Sequence, residues 1–182
     1  MQYGFGVDIG GTTIKIGLFS VDGDLMEKWE IPTNKTDNGK YILTEIADFI
    51  NRTIETKGIE KSDVMGVGLG VPGPVNKNGF VSVCVNLGWN SLNVEKEFHE
   101  ISGLPVKVGN DANVAALGEM WQGAGKGYQD VLMVTLGTGV GGGCVLNGQI
   151  VSGIHGAGGE IGHMPVTVSY THLRAHETSQ DL

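Results

Sequence analysis

Residues 5–19 read FGVDIGGTTIKIGLF: an apolar run, a turn of two glycines and two threonines, and a second run in which apolar side chains alternate with Lys or Gly. Two such runs around a Gly-Gly pair predict a β-hairpin with Gly10 and Gly11 at its tip. Glycines at a tip let backbone N–H groups approach an anion, the threonine hydroxyls can donate to phosphate oxygens, and Asp8 could hold a metal ion beside them. The hairpin therefore suggests phosphate chemistry, although an ordinary turn tied by its own Asp8 explains these residues equally well.

Composition places the chain among soluble globular proteins. Its 182 residues suffice for one sizeable core or two small lobes, and 40% of them are apolar. Twelve basic against twenty acidic residues give a net charge of −8, which is the wrong sign for a protein that binds a phosphate backbone. Cys84 and Cys144 lack metal-ligand spacing, and no apolar run is long enough for a membrane helix. We expect a cytoplasmic protein that binds neither nucleic acid nor membranes.

The periodicity of the next hundred residues predicts alternating strands and helices. Strands are predicted over 25–31, 64–71, 80–85 and 106–109, and helices over 39–57, 94–101 and 113–121. Gly58 is the predicted end of the first helix. The run 64–71 is almost wholly apolar, which is typical of a strand covered on both faces. This order of elements predicts an α/β fold with a partly parallel sheet.

A second unit is predicted to begin near Asp130. Residues 131–136 form an apolar strand pattern, 137–143 a glycine-rich turn, and 144–146 a return strand that turns at Asn147-Gly148. This repeats the opening pattern of strand, glycine and threonine turn, and strand. The repetition predicts a duplicated lobe with a second anion-binding turn.

Familiar nucleotide motifs do not explain these glycines. Residues 68–73 and 137–142 match G-x-G-x-x-G in form, but neither match opens a helix as a dinucleotide fold requires. The segment 125–127 has neither the spacing nor the hydroxyl residue of a P-loop. We therefore expect phosphates to be held by hairpin turns.

Two further constellations have both a structural and a functional interpretation. Asn110 and Asp111 follow a predicted strand, where α/β sheets place their ligands. Asp111 either caps the following helix or accepts a proton from an attacking hydroxyl. Glu160 and His163 stand three residues apart, so they form either an ordinary structural pair or a polyol-binding pair on one helical face.

Together these motifs resemble the ROK family of bacterial sugar kinases and sugar-responsive repressors, most closely its glucokinases, over residues 3–166. The resemblance implies the α/β fold of the actin-like, ribonuclease-H-like two-lobe ATPases, with an incomplete second lobe. It implies an N-terminal lobe over 1–118, the start of a second lobe over 119–167, and a non-native tail over 168–182.

The resemblance also implies a reaction, the ATP-dependent phosphorylation of a hexose, most simply glucose, at its 6-hydroxyl. Asp111 would be the catalytic base, and Asp8 would position Mg²⁺ directly or through water. Residues implied to hold the phosphates of ATP are Asp8, Gly10, Gly11, Thr12, Thr13, Lys15, Gly137, Thr138, Gly139 and Gly141. Residues implied to bind the sugar are Gly73, Asn86, Asn110, Asp111, Glu160 and His163. The implied full-length enzyme is a homodimer.

The chain departs from the family pattern after His163. Family members continue into a C-x-C-G-x-x-G-C cluster that joins this histidine in a structural zinc site, whereas no cysteine follows Cys144 here, so we expect that site to be incomplete. Two alternatives stand beside the kinase: an inactive fragment of it, and a repressor of the same family. Such repressors carry a DNA-binding domain before the first phosphate motif, and only seven residues precede Asp8.

Overall fold

The computed structural model describes residues 1–136, 139–153, 156 and 158–164, without the side chain of His163. The chain divides into two units, Met1–Asp111 and Ala112–Leu182. In the described part of the chain, no helix combines the length and the apolar character needed to cross a bilayer. The predicted tail over 168–182 lies outside the described residues and stays a prediction.

The first unit contains a five-stranded sheet. Its strands are β1 (Tyr3–Ile9), β2 (Thr13–Ser20), β3 (Leu25–Pro32), β4 (Val64–Val71) and β7 (Val106–Asn110). Across the sheet they follow the order β3-β2-β1-β4-β7. The first three strands form an antiparallel meander, while β4 is parallel to β1 and β7 is parallel to β4. The predicted hairpin and the predicted partly parallel sheet are both confirmed.

Helices and one small hairpin complete the first unit. They are the single turn α1 (Thr36–Gly39), α2 (Ile42–Lys57), α3 (Val94–Ser102), β5 (Phe80–Cys84) and β6 (Trp89–Asn93). α2 ends where Gly58 takes a left-handed φ of +63°, as its glycine predicts. α3 begins after Asn93, whose side-chain oxygen accepts a hydrogen bond from the Lys96 N–H. β6 pairs with β5 in antiparallel fashion and was not predicted.

The core lies on one face of the sheet. Phe5, Val7 and Ile9 point to this face from β1, and they share one buried cluster with Ile46 and Ile50 of α2. Alternate residues of each strand point to the other face. On that face Gly68 of β4 is exposed, so the prediction that β4 is covered on both faces is wrong for the residues described. The error arose because glycine counts as apolar in a hydropathy pattern but has no side chain to pack against another element.

The second unit packs a helix against a three-stranded antiparallel sheet. Its elements are α4 (Asp111–Gln122), β8 (Val131–Leu136), β9 (Val140–Leu146) and β10 (Gln149–Ile150). The predicted turn over 137–143 is too long, because β9 already begins at Val140 and continues through the following glycines. A Cβ placed on Gly143 would lie 2.6 Å from the Ala116 Cβ, so α4 can approach β9 only where β9 has no side chain.

Candidate active site

The tip of the first hairpin is held in place by the end of the meander. Gly10 donates its N–H to the Thr13 carbonyl over 3.0 Å, which closes the turn. Thr33 then secures the turn from outside: its N–H donates to the Thr12 carbonyl over 2.9 Å, and its hydroxyl donates to the Gly10 carbonyl over 2.7 Å. Sequence reasoning missed Thr33. The register of β2 and β3 reveals its position, because Thr13 pairs with Pro32, the residue before Thr33.

Asp8 and Lys15 lie directly opposite each other on β1 and β2. Both are exposed, because their neighbours Val7 and Ile9 point to the core face and strand residues alternate. A carboxylate and an ammonium group therefore stand side by side next to the glycine turn. An ammonium group is a suitable donor to an anion, and a carboxylate is a suitable ligand for a metal ion.

A row of backbone without side chains connects Asp8 to the end of β7. Asp8 is in register with Gly70 of β4, and Gly70 is in register with Gly109 of β7. Two strand spacings separate Asp8 from Gly109, which places their Cα atoms about 10 Å apart. Neither glycine contributes a side chain to the stretch between the Asp8 carboxylate and the residues that follow β7. This edge, where parallel strands end, is where α/β sheets bind ligands.

Asn110 and Asp111 stand at the other end of this row. Asn110 closes β7, is buried, and donates its amide N–H to the Gly73 carbonyl over 3.3 Å. Asp111 is the first residue of α4 and is half-buried. The structure thus brings Asn110 and Gly73, two of the predicted sugar-binding residues, into direct contact.

Gly73 fits its position because it has no side chain. A Cβ there would lie 3.1 Å from the Val83 carbonyl oxygen and 3.5 Å from the Cys84 Cβ. Asn86 lies on the short helical turn Val85–Leu87 and is exposed. Its Cβ is 3.6 Å from where a Cβ of Gly11 would stand, so this turn abuts the tip of the first hairpin. A continuous series of contacts within the first unit therefore joins Gly11, Asn86, Cys84, Gly73 and Asn110.

A buried hydrogen bond ties the turn that carries Asn86 to the loop after β3. The Trp89 indole N–H donates to the Gly39 carbonyl over 3.1 Å. Asp37 and Asn38, just before this glycine, have φ values of +52° and +59°, a conformation that most residues avoid. The chain accepts this conformation where the two loops pack against each other.

The thiol of Cys84 lies at the centre of these loops. Its sulfur donates to the Pro72 carbonyl over 3.1 Å. Burial raises the pKa of this thiol; hydrogen bonds from the Leu87 and Asn86 backbones oppose the rise, and the nearby Asp111 charge adds to it. The group is accordingly a neutral hydrogen-bond donor at physiological pH.

Predicted site residues in the second unit are described only in part. Gly141 lies on β9, where it is in register with Thr135, and Gly139 directly precedes that strand. Glu160 is half-buried and precedes the helical turn Ile161–His163. The backbone next to Glu160 packs on β9, since a Cβ on Gly142 would stand 2.5 Å from the Gly159 carbonyl oxygen.

Other predictions in the second unit fall outside the description. Gly137, Thr138 and the side chain of His163 are not among the described residues. Within residues that are described, no three His, Cys, Asp or Glu side chains cluster closely enough to hold a metal ion. The role of His163 in sugar or zinc binding stays a prediction.

Comparison with known proteins identifies relatives along most of the chain. Residues 4–178 match the ROK family, so this match runs past residue 166, where the motif resemblance ends. A glucokinase of Halalkalibacterium halodurans is 51% identical over 88% of this chain and 49% of its own length. An N-acetyl-D-glucosamine kinase of Haemophilus influenzae is 38% identical over 88% of this chain and 51% of its own length.

A solved structure agrees with the fold. The ROK family glucokinase from Streptomyces griseus, crystallised with glucose and AMPPNP, superposes with a TM-score of 0.74 at 35% identity, over 91% of this chain and 51% of that one. The chain spans about half the length of the curated relatives it matches and has the fold of the ROK sugar kinases, the actin-like, ribonuclease-H-like ATPase fold. On the family match and these likenesses, the chain belongs to the ROK family.

Proposed function

We propose that this protein catalyses the ATP-dependent phosphorylation of a hexose at its 6-hydroxyl, with glucose as the hexose. The observation that carries the proposal is the row from Asp8 through two glycines to the end of β7. One end of the row lies next to the turn proposed to bind phosphate, and the other end lies two residues before Asp111, the proposed base. The Cα atoms of Asp8 and Gly109 are about 10 Å apart. In this proposal the sugar hydroxyl and the terminal phosphate meet above the two glycines, which carry no side chain.

Asp111 acts in this proposal as the general base. Its carboxylate accepts the proton of the 6-hydroxyl while the hydroxyl oxygen forms a bond to the γ-phosphorus, and the bond from that phosphorus to the β-phosphate oxygen breaks to release ADP. A positioned base of this kind is worth about 10² to 10⁴ in rate. Asn110 and Asn86 supply amide groups that can bond sugar hydroxyls, and Asn110 is already oriented by its hydrogen bond to Gly73.

The Gly10–Thr13 turn, Lys15 and Asp8 form the phosphate side of the site. Backbone N–H groups at the glycines, the hydroxyls of Thr12 and Thr13, and the Lys15 ammonium are donors suited to phosphate oxygens. Mg²⁺ prefers carboxylate oxygens and retained water, and the exposed Asp8 carboxylate fits it. When bound, the ion would neutralise phosphate charge during transfer.

Glucose is preferred in the proposal because two of the similar proteins are glucokinases, one of them solved with glucose bound. The N-acetyl-D-glucosamine kinase is the relative that argues for a second candidate sugar. Both sugars carry the 6-hydroxyl that Asp111 would deprotonate. A comparison of kcat/KM for the two sugars decides between them.

The test is Asp111→Asn in the full-length gene product, assayed by coupled ADP release with glucose and ATP. We expect kcat to fall by at least about 100-fold, while the glucose Kd from calorimetry changes less than about threefold because asparagine keeps the shape of the side chain. Asp48→Asn on the exposed face of α2 is the matched control and should retain full turnover.

Two results would count against the proposal, and they separate its parts. If Asp111→Asn keeps more than about a third of the turnover, Asp111 is not the base. If the unaltered protein phosphorylates neither sugar with ATP, the proposed reaction itself is wrong.

A further inference from the structure

One buried group touches several parts of the candidate sugar site without appearing in the mechanism. Cys84 is the last residue of β5 and is 1% exposed. Its sulfur reaches the Pro72 carbonyl, which lies in the loop after β4. Its Cβ reaches within 3.5 Å of the position that a Gly73 Cβ would occupy.

The Pro72 carbonyl depends on this thiol because of the local turn. Gly73 donates its N–H to the Val71 carbonyl over 2.9 Å, which makes a tight three-residue turn centred on the proline. That turn satisfies the Val71 carbonyl but not the Pro72 carbonyl. The Cys84 S–H is the donor that meets it, over 3.1 Å.

The same residue also leads directly into the turn that carries Asn86. Cys84 is the residue before the helical turn Val85–Leu87, so its side chain links the loop after β4 to the turn after β5. Gly73 and Asn86, on the two linked segments, are both proposed to contact the sugar. Asn110 is added to this set through its hydrogen bond to the Gly73 carbonyl.

We propose that Cys84 is a positioning residue for sugar binding, whose thiol holds the Pro72–Gly73 loop at a fixed distance from the Asn86 turn. This inference rests on the proposed function. Cys84 itself does not touch the sugar: it acts through the Gly73 backbone and the Asn86 side chain. Loss of the thiol should therefore weaken sugar binding and leave the phosphate side of the site unchanged.

The test compares Cys84→Ala with Cys84→Ser in the full-length gene product, with Cys144→Ala on β9 as the matched control. Alanine removes the donor, whereas serine restores an O–H to the Pro72 carbonyl. We expect Cys84→Ala to raise the KM for glucose about three- to tenfold, the effect of one lost hydrogen bond. The KM for ATP and kcat should stay within about twofold. Cys84→Ser and Cys144→Ala should both bind glucose nearly as well as the original protein.

Two outcomes would overturn the inference: a glucose KM for Cys84→Ala within twofold of the original, or a Cys84→Ser variant as impaired as Cys84→Ala. A merely structural role would raise both KM values together or lower only the amount of folded protein. If Cys84→Ala does not fold, Cys84→Val, which fills the space with an apolar group and has no donor, is measured in its place.

A second measurement needs no sugar and separates this inference from the proposed reaction. Amide hydrogen exchange at Gly73 and Asn86 in the 182-residue chain should speed up by at least about threefold in Cys84→Ala and not in Cys84→Ser. Unchanged exchange refutes the positioning role even if the protein phosphorylates glucose. If the exchange is faster but the full-length protein has no kinase activity, only the proposed reaction is refuted and the positioning role stands.

Discussion

Replacing Trp89 with phenylalanine tests the contact that holds the Asn86 turn. Trp89 is 5% exposed, and its indole N–H donates to the Gly39 carbonyl over 3.1 Å at a buried site. A Cβ on Gly39 would stand 2.9 Å from the indole nitrogen, so the indole packs closely on this glycine. A buried carbonyl that loses its donor costs about 1–3 kcal/mol, and the smaller ring buries less apolar surface, which costs about 1 kcal/mol more. We expect Trp89→Phe to lower the free energy of unfolding by about 2–4 kcal/mol.

The assay is urea unfolding followed by far-ultraviolet circular dichroism. Trp121→Phe is the control, because Trp121 is 52% exposed on α4 and should change the unfolding free energy by less than about 0.5 kcal/mol. The reasoning is refuted if the two variants unfold at the same urea concentration. It is also refuted if Trp89→Phe is destabilised by less than about 1 kcal/mol, since the buried carbonyl alone should cost that much.

Three further predictions concern packing, ionisation and surface chemistry. Gly143→Ala should destabilise the second unit by about 3 kcal/mol, because the added methyl group collides with α4. Gly118→Ala, on the open face of α4, should stabilise the unit by about 0.5–1 kcal/mol. Thermal unfolding that ranks the two variants in the other order contradicts this packing. The raised pKa of Cys84 means that the folded state holds the thiol proton more tightly than the unfolded state, so this contribution to stability is complete below about pH 8.5 and is lost as pH rises through the folded pKa. In urea titrations, the unfolding free energy of the original protein should exceed that of Cys84→Ser by less at pH 10 than at pH 7.5. An equal difference at both pH values contradicts this prediction. Leu136 is 81% exposed and belongs to a row of apolar side chains on β8. Leu136→Lys should therefore reduce self-association, measured by sedimentation. An unchanged sedimentation coefficient would show that this row does not drive association.

Strands with a simple pattern could be predicted from the sequence almost residue for residue. Val64–Val71 and Val131–Leu136 begin and end where the apolar runs do. β6 was missed because Asn90, Ser91 and Asn93 give it the composition of a loop, and Ser91 even takes a φ of +58°. Its strand character comes from pairing with β5, which propensity cannot supply.

The contacts that organise the candidate site could not be predicted in the same way. Asp8 and the glycine turn are adjacent in the sequence, so a short motif is enough to identify them. Thr33 meets Gly10 across 23 positions, and Cys84 meets Pro72 across 12, so neither pair shares a spacing that a motif could encode. Those contacts depend on the register of the meander and on the path of two loops, which only the folded chain defines.

The glycines of the five-stranded sheet have two different uses on one face. Gly17, Gly6 and Gly68 are in register across β2, β1 and β4, on the face away from the core. The Phe19 ring lies over the first two of these, since a Cβ on Gly6 would stand 3.1 Å from it.

Two positions further along β1 and β4, the next row holds Asp8, Gly70 and Gly109, and no large side chain separates its two ends. Glycine in the first row lets the Phe19 ring lie over the sheet, whereas in the proposed function glycine in the second row keeps side chains away from the phosphate and the sugar hydroxyl. Alanine at Gly70 should therefore impair catalysis more than folding, and alanine at Gly17, whose Cβ would stand 2.6 Å from the Phe19 ring, should impair folding. Measuring kcat and unfolding free energy for both variants separates the two uses, and matching profiles would show that the second row is only another packing surface.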